Sequence, residues 1–401
     1  MPKLSDALVG PWRAVAVLGV TQILAWGTMF YTPVLMLPLL AADRGWTSSF
    51  AMAGFSAGLL VAGFVARYVG ILIDRHGGHR VMPAGSLLGA GGLVGLAYAS
   101  DPVGYFAVWM VLGVAMAASL YDPAFATLGR IFGARARQPI TVLTLAGGFA
   151  STVSWPSTHA LLEALDWRGT YLVYAALLAG IAAPLHWLAL PRGRAELETR
   201  AAGSAQAPPP LPAVGRAFVL VAAAFASYAF VPSGLSAHLL AIFGRHGIDP
   251  GTVVWIGALF GPSQVAARVC EFAFGRNLQP LWVVRFAVSV LVAGFCLLAL
   301  FGFSVAAAAT FAILFGAANG LVTIARGTVP LSLFGPAGYG RLIGRIAGPS
   351  LAMQAAAPLV LAVLAERGSD ATALGFAAAL ALIALVCFAG IRSQKSQVGS
   401  P

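Results

Sequence analysis

Long apolar stretches alternate along the chain with short polar or glycine-rich connections, and none shows the two-residue alternation of a half-buried strand. Twelve apolar runs stand out, at about 15–40, 49–73, 81–100, 103–128, 139–162, 169–190, 214–242, 251–274, 281–302, 304–330, 343–365 and 370–391. Each is long enough for a helix to cross about 30 Å of hydrocarbon. The pattern predicts an all-α membrane protein of twelve transmembrane helices and argues against a barrel. Between the second and third runs, residues 70–80 read Gly-Ile-Leu-Ile-Asp-Arg-His-Gly-Gly-His-Arg. So short a connection must turn abruptly, which Gly77 and Gly78 permit because glycine reaches backbone angles closed to other residues. Asp74, Arg75, His79 and Arg80 are expected to stay at the water interface as a charged latch.

Composition agrees with the pattern. Of 401 residues, 59% are hydrophobic and 9% charged, which leaves too little polar surface to cover a soluble body of this size. The first run is too long for a signal-peptide core and lacks a small-residue cleavage site, so it is read as a retained helix. The formal charge of +11 does not point to nucleic acid, because the basic residues are not interleaved with aromatics. They fall mostly in one set of connections, with Arg75, Arg80, Arg130, Arg135, Arg137, Arg192, Arg216 and Arg341 among them. An even number of spans and the positive-inside rule then place both termini in the cytoplasm, the chain lying in an inner membrane. Cys270, Cys296 and Cys387 occupy three separate apolar runs without metal-ligand spacing and are read as packing residues. Phosphate-binding glycine loops, paired catalytic carboxylates and His/Cys clusters are missing from the sequence. It is therefore read as a non-enzyme without cofactor or metal.

Residues 191–213 contain Arg-Gly-Arg, Glu196, Glu198 and Ala-Gln-Ala-Pro-Pro-Pro-Leu-Pro, the composition of a flexible linker. It separates an N-terminal bundle, 1–190, from a C-terminal bundle and short tail, 214–401. The halves match weakly at a shift of about 200 positions: Val65-Ala66-Arg67 aligns with Ala266-Ala267-Arg268, Asp74-Arg75 with Gly275-Arg276, Pro33 with Pro232 and Pro156 with Pro358. Two pseudo-symmetric six-helix halves point to a transporter with its site between them near mid-membrane.

With these features in hand, the chain resembles the major facilitator superfamily over essentially its full length, on the Gly-x-Leu-x-Asp-Arg-x-Gly pattern of Gly70, Leu72, Asp74, Arg75 and Gly77. The resemblance implies alternating access driven by a proton or by exchange, with the latch Gly70, Asp74, Arg75, Gly77 and Arg80 stabilising an outward-open state. Two departures separate it from the usual multidrug exporters. The fourth span carries no early arginine in Val111 to Met116, and Gly147-Gly148 is followed by Phe149 to Pro156 rather than preceded by Gly-Pro. Trp26-Gly27, Gly45-Trp46 and the lone Arg268 are similar to the monocarboxylate and oxalate/formate carriers, in which an arginine of that helix binds the carboxylate. The run Thr144 to Val153 with Trp167-Arg168 is similar to a bacterial branch that includes arsenite-efflux proteins.

Charged residues inside spans are the candidates for chemistry, because an arginine at a helix centre costs about 2.5–3.5 kcal/mol to insert. Arg67 and Arg268 stand at repeat-equivalent positions. Each either snorkels to the interface or grips an anion, for which the planar guanidinium fork is suited. Arg326 joins them as a substrate-binding candidate; from the corresponding place in the tenth span it either bridges Asp122 or forms with it a pair of cavity walls. Asp122 is a candidate proton carrier, since burial and a nearby arginine pull its proton affinity in opposite directions. Glu271, three residues after Arg268, either neutralises that arginine or carries a proton. Arg341 and Arg345 are expected to meet lipid phosphates or the latch. Trp26, Tyr31, Tyr121 and Tyr228, with Gln22 and His238, are candidates to orient a small solute or simply to pack. The reading that results is a secondary transporter, functional as a monomer in the bilayer. It would move a small organic anion such as a monocarboxylate with protons or against a counter-solute. The alternative is proton-driven efflux of an arsenite-like metalloid or a drug.

Overall fold

The computed structural model describes residues 10–192, 215–275 and 277–391, and among them no strand occurs. Most of the linker expected at 191–213 lies outside the described residues. Eleven helical stretches are long and apolar enough to cross a membrane. They are α1 (Arg13–Arg44), α2 (Ser48–His76), α3 (Gly78–Tyr98), α4 (Pro102–Arg135), a long fifth stretch (Arg137–Ala189), and then α7 (Arg216–Arg245), α8 (Pro250–Phe274), α9 (Pro280–Phe301), α10 (Val305–Phe334), α11 (Tyr339–Arg367) and α12 (Asp370–Ala389). The fifth stretch spans 53 residues, far more than one crossing needs, and breaks at Asp166, whose φ is 62° and ψ −175°. The Asp166 carboxylate accepts from Gly169 N at 2.9 Å and caps the helix that follows. It therefore supplies two spans, α5 (137–165) and α6 (167–189). Twelve crossings put both described ends of the chain on one face, here the terminal face.

Large apolar side chains remain exposed around the bundle, among them Phe64, Trp187, Trp255, Phe274 and Leu300, as a lipid-facing surface requires. Inside the first six helices, His186 is fully buried and bridges Thr21 Oγ1 at 2.8 Å and Ser86 Oγ at 3.1 Å. This polar brace ties α6 to α1 and α3.

Besides α6, which has π-helical turns at Leu178–Ala182 and Leu185–Ala189, four helices lose regularity within their spans. In α1, residues Trp26–Tyr31 form a π-helical turn, and Thr32 N donates back to Gly27 O at 3.2 Å just before Pro33 restarts the helix. Leu120 leaves helical geometry within α4 (φ −82°, ψ −158°). α5 is interrupted after Gly147 and α8 at Leu259. Interrupted membrane helices free backbone groups, and such breaks are tolerated where they line a site.

The first six and last six helices meet most closely where α2 crosses α11. Gly63, Ala66 and Gly70 of α2 oppose Gly348, Gly344 and Gly340 of α11. A Cβ added at Gly344 would stand 2.8 Å from Arg67 Cα, and one at Gly70 would stand 2.6 Å from the Gly340 carbonyl carbon. Only small residues admit backbones this near. The turn from α2 to α3 is tighter than the sequence suggested: helix resumes at Gly78, and Gly77 alone, at φ 79°, makes the reversal. His79, expected at the water interface, is 7% exposed because the second helix has already begun and carries it inward.

Candidate functional site

Arg268 lies in the inner segment of α8 and is 3% exposed. Its Nη1 donates to Thr144 O of α5 at 2.7 Å, its Nη2 to Gln264 Oε1 one turn earlier at 2.8 Å, and its Nε to Gly320 O of α10 at 3.4 Å. All three acceptors are neutral. Among the described residues no carboxylate pairs with this cation. Gly148, at the break in α5, makes room for it, since a Cβ there would stand 2.5 Å from Arg268 Nη1.

Around the guanidinium converge Tyr31 of α1, Tyr121 of α4 and Tyr228 of α7; a Cβ at Gly147, next to the Gly148 that faces Arg268, would stand 2.3 Å from Tyr121 Oη. Tyr228 donates to Asn319 Oδ1 of α10 at 3.4 Å. The Trp26 ring centroid is 4.9 Å from that of Tyr121 and 5.9 Å from that of Tyr31. Its Nε1 donates to Gln22 Oε1 at 3.1 Å, and the buried Gln22 amide donates in turn to Ser119 O at 2.6 Å. The π turn in α1 and the break at Leu120 in α4 thus bring an indole and a phenol together, the phenol on the side of the cation.

Five of the seven candidate substrate residues therefore meet: Arg268, Trp26, Tyr31, Tyr121 and Tyr228. Arg326 does not. It pairs with Asp122 across the two sets of helices, Nη2 to Oδ2 2.8 Å, as the sequence suggested, and Asp122 Oδ1 is buried without a partner. Arg67 is not brought to Arg268 either. It sits on the exposed flank of α2 with Phe64, Tyr68 and Leu72, and its guanidinium lies 4.6 Å from the Tyr68 ring centroid. Equivalent positions in the repeat thus do not share an environment. Glu271 pairs not with Arg268 but with Arg137 of α5, at 3.2 Å. The pairing leaves Arg268 uncompensated.

The latch residues have distinct fates. Asp74 Oδ1 accepts from Gly340 N at 2.9 Å and Oδ2 from Arg341 N at 2.8 Å, so a carboxylate of α2 caps the first turn of α11. Arg130 of α4 donates to the Asp74 carbonyl. Gly70 allows the α2–α11 approach and Gly77 the turn, while Arg75 and Arg80 are exposed. Arg137 makes a second cap that sequence reasoning missed: it donates to Gly275 O at 2.8 Å and Leu278 O at 2.5 Å, closing the end of α8. Arg345 lies 4.8 Å from the Phe218 ring centroid, and His238 Nε2 meets Pro358 O at 2.9 Å, tying α7 to α11. Thr144, Gln264 and Asn319 were also missed. Their signal is faint, since a lone amide or hydroxyl in an apolar run costs little.

The bundle, its interrupted helices and a buried cation between the two sets of six are those of a multi-pass helical membrane protein. The sequence profile of the Major Facilitator Superfamily matches residues 17–346, and the chain belongs to that family. It is 27% identical over 155 residues to monocarboxylate transporter 1 of Mus musculus, covering 38% of this chain and 29% of that protein. It is 29% identical over 138 residues to monocarboxylate transporter 11 of Homo sapiens, covering 34% and 28%. The matched stretch thus spans under a third of these relatives. The fold is similar to the crystal structure of the human organic anion transporter MFSD10 (TETRAN), with TM-score 0.73 and 16% identity over 97% of this chain and 100% of that one. It is also similar to FucP in the outward conformation, with TM-score 0.72 and 12% identity over 95% and 99%.

Proposed function

We propose that the chain is a secondary transporter of a small organic anion, a monocarboxylate, which binds at Arg268 and crosses by alternating access. The observation that carries this reading is the buried guanidinium of Arg268 bonded to neutral acceptors only. A cation so placed is unfavourable until an anion joins it, and its planar fork offers a carboxylate two parallel hydrogen bonds. Tyr31, Tyr121 and Tyr228 supply further hydroxyls within the same shell. The carboxylate that could have neutralised Arg268, Glu271, is held by Arg137. The relatives named monocarboxylate transporters support the same class.

In this reading Asp122 carries the coupled proton, since it bridges the two helix sets through Arg326 and keeps one oxygen unpartnered; exchange against a counter-solute is the other route. The chain works as a monomer in an inner membrane, its terminal face cytoplasmic and its 191–213 linker joining two six-helix domains. The decisive experiment is uptake into proteoliposomes with Arg268→Lys. Lysine keeps the charge and loses the fork, so carboxylate transport is expected to fall roughly tenfold or more with thermal stability retained. Undiminished transport by the variant, or binding of arsenite in place of any carboxylate, overturns the anion reading.

A further inference from the structure

If Arg268 anchors the carboxylate, the neighbouring rings decide what the rest of the molecule is. We infer that the preferred substrate is an aromatic monocarboxylate whose carboxylate sits on Arg268 and whose ring lies against the half-buried Trp26 and Tyr31, an inference that rests on the anion reading above. Tyr121 belongs to both parts of the site. Its phenol oxygen would stand 2.3 Å from a Cβ at Gly147, next to the Gly148 whose Cβ would meet Arg268 Nη1 at 2.5 Å, and its ring lies 4.9 Å from Trp26 on one side and stacks on Phe125 at 5.3 Å and 6° on the other. The distance from cation to indole is therefore bridged by one side chain, a span that an arylalkyl acid matches.

The indole is held in place. The chain Trp26 Nε1 to Gln22 to Ser119 O fixes its plane, Phe30 packs on it edge-on at 4.7 Å, and the π turn of α1 sets its direction. Trp26 and Tyr31 nonetheless stay half-buried, while the Gln22 that orients Trp26 is fully buried. A preset aromatic surface with a free share beside an uncompensated cation favours a ligand with a ring. A two- or three-carbon acid reaches Arg268 and the phenols and leaves that surface in water. Stacking on two rings, added to the apolar area covered, corresponds to roughly tenfold or more in affinity.

The test compares pyruvate, phenylpyruvate and the cyclohexyl analogue of phenylpyruvate by calorimetry and by competition for uptake. It uses the full-length protein and its Trp26→Leu, Trp26→Phe and Arg268→Lys variants. Phenylpyruvate is expected to bind at least about tenfold tighter than pyruvate, with the cyclohexyl acid between them. Trp26→Leu is expected to bring the phenylpyruvate-to-pyruvate ratio close to one, and Trp26→Phe to restore most of it, which also controls for folding. Equal affinity for pyruvate and phenylpyruvate, or a ratio untouched by Trp26→Leu, overturns the inference. In that event, loss of both acids in Arg268→Lys leaves the anion reading standing. Binding of none of the three acids removes both.

Discussion

At the scale of single residues, the site was legible where burial makes a side chain expensive and illegible where only its direction matters. Arg268 stood out because a cation in an apolar run is costly, and the structure buries it among neutral acceptors. Arg67 looked equivalent, but sequence alignment of the repeat does not say which face of α2 it occupies. Exposed Phe64, Tyr68 and Leu72 show that face to be the outer one. Arg137 was invisible as a partner of Glu271 because 134 positions separate them. Gly148 tests how closely the cation is fitted. A Cβ there would meet the far end of the Arg268 side chain at 2.5 Å, so alanine displaces the guanidinium rather than the backbone. Gly148→Ala is expected to weaken carboxylate binding several-fold while the melting temperature barely moves. Unchanged affinity would show that Arg268 has slack the geometry does not suggest.

Helices tell a related story one level up. Their number and positions could be read from apolar runs, because every crossing needs its own length of hydrophobic chain. The π turn at Trp26–Tyr31 and the break at Leu120 could not, since both are set by packing in the middle of unbroken apolar sequence; Pro33 and Pro123 hint at them only in retrospect. One element that binds one helix set to the other is the Asp74 cap. Two N–H groups at the start of α11 have no intrahelical acceptor, and a carboxylate from α2 satisfies both at the positive end of the helix dipole. Asp74→Asn keeps the shape, removes the charge and leaves one acceptor where there were two. Capping and dipole effects of about 0.5–2 kcal/mol correspond to an opening shift of about 2- to 30-fold. Spin labels at the terminal-face ends of α2 and α11 are expected to report a larger population of separated distances. An unaltered distance distribution would mean that the glycine seam alone holds the crossing.

Across the whole molecule, the contacts between the two sets of six helices are one-sided. Asp74 on α11, Asp122 with Arg326, Arg137 on Glu271, Gly275 and Leu278, and Arg268 on Thr144 all lie at mid-span or toward the terminal face. Toward the opposite face, among the described residues, no hydrogen bond or ion pair joins the sets. The outer stretch of α5 is exposed at Thr152, Val153, Trp155 and Pro156, and that of α8 at Val254 and Trp255. The polar contacts between the sets thus cluster at mid-span and toward the terminal face, and the site around Arg268 is expected to be reached from the other side. Thr152 continues the stripe of α5 that carries Thr144 and Gly148, one turn beyond Gly148, so it borders that path. In a background lacking Cys270, Cys296 and Cys387, Thr152→Cys is expected to react rapidly with a membrane-impermeant maleimide added on the face away from the termini, and slowly from the terminal face. A transported carboxylate draws the population toward the alternate closure and should slow that reaction, because a ligand shifts an equilibrium only through unequal affinity for its two states. Equal labelling from both faces would contradict the one-sided closure. Fast one-sided labelling untouched by any carboxylate would instead detach the opening from the Arg268 site.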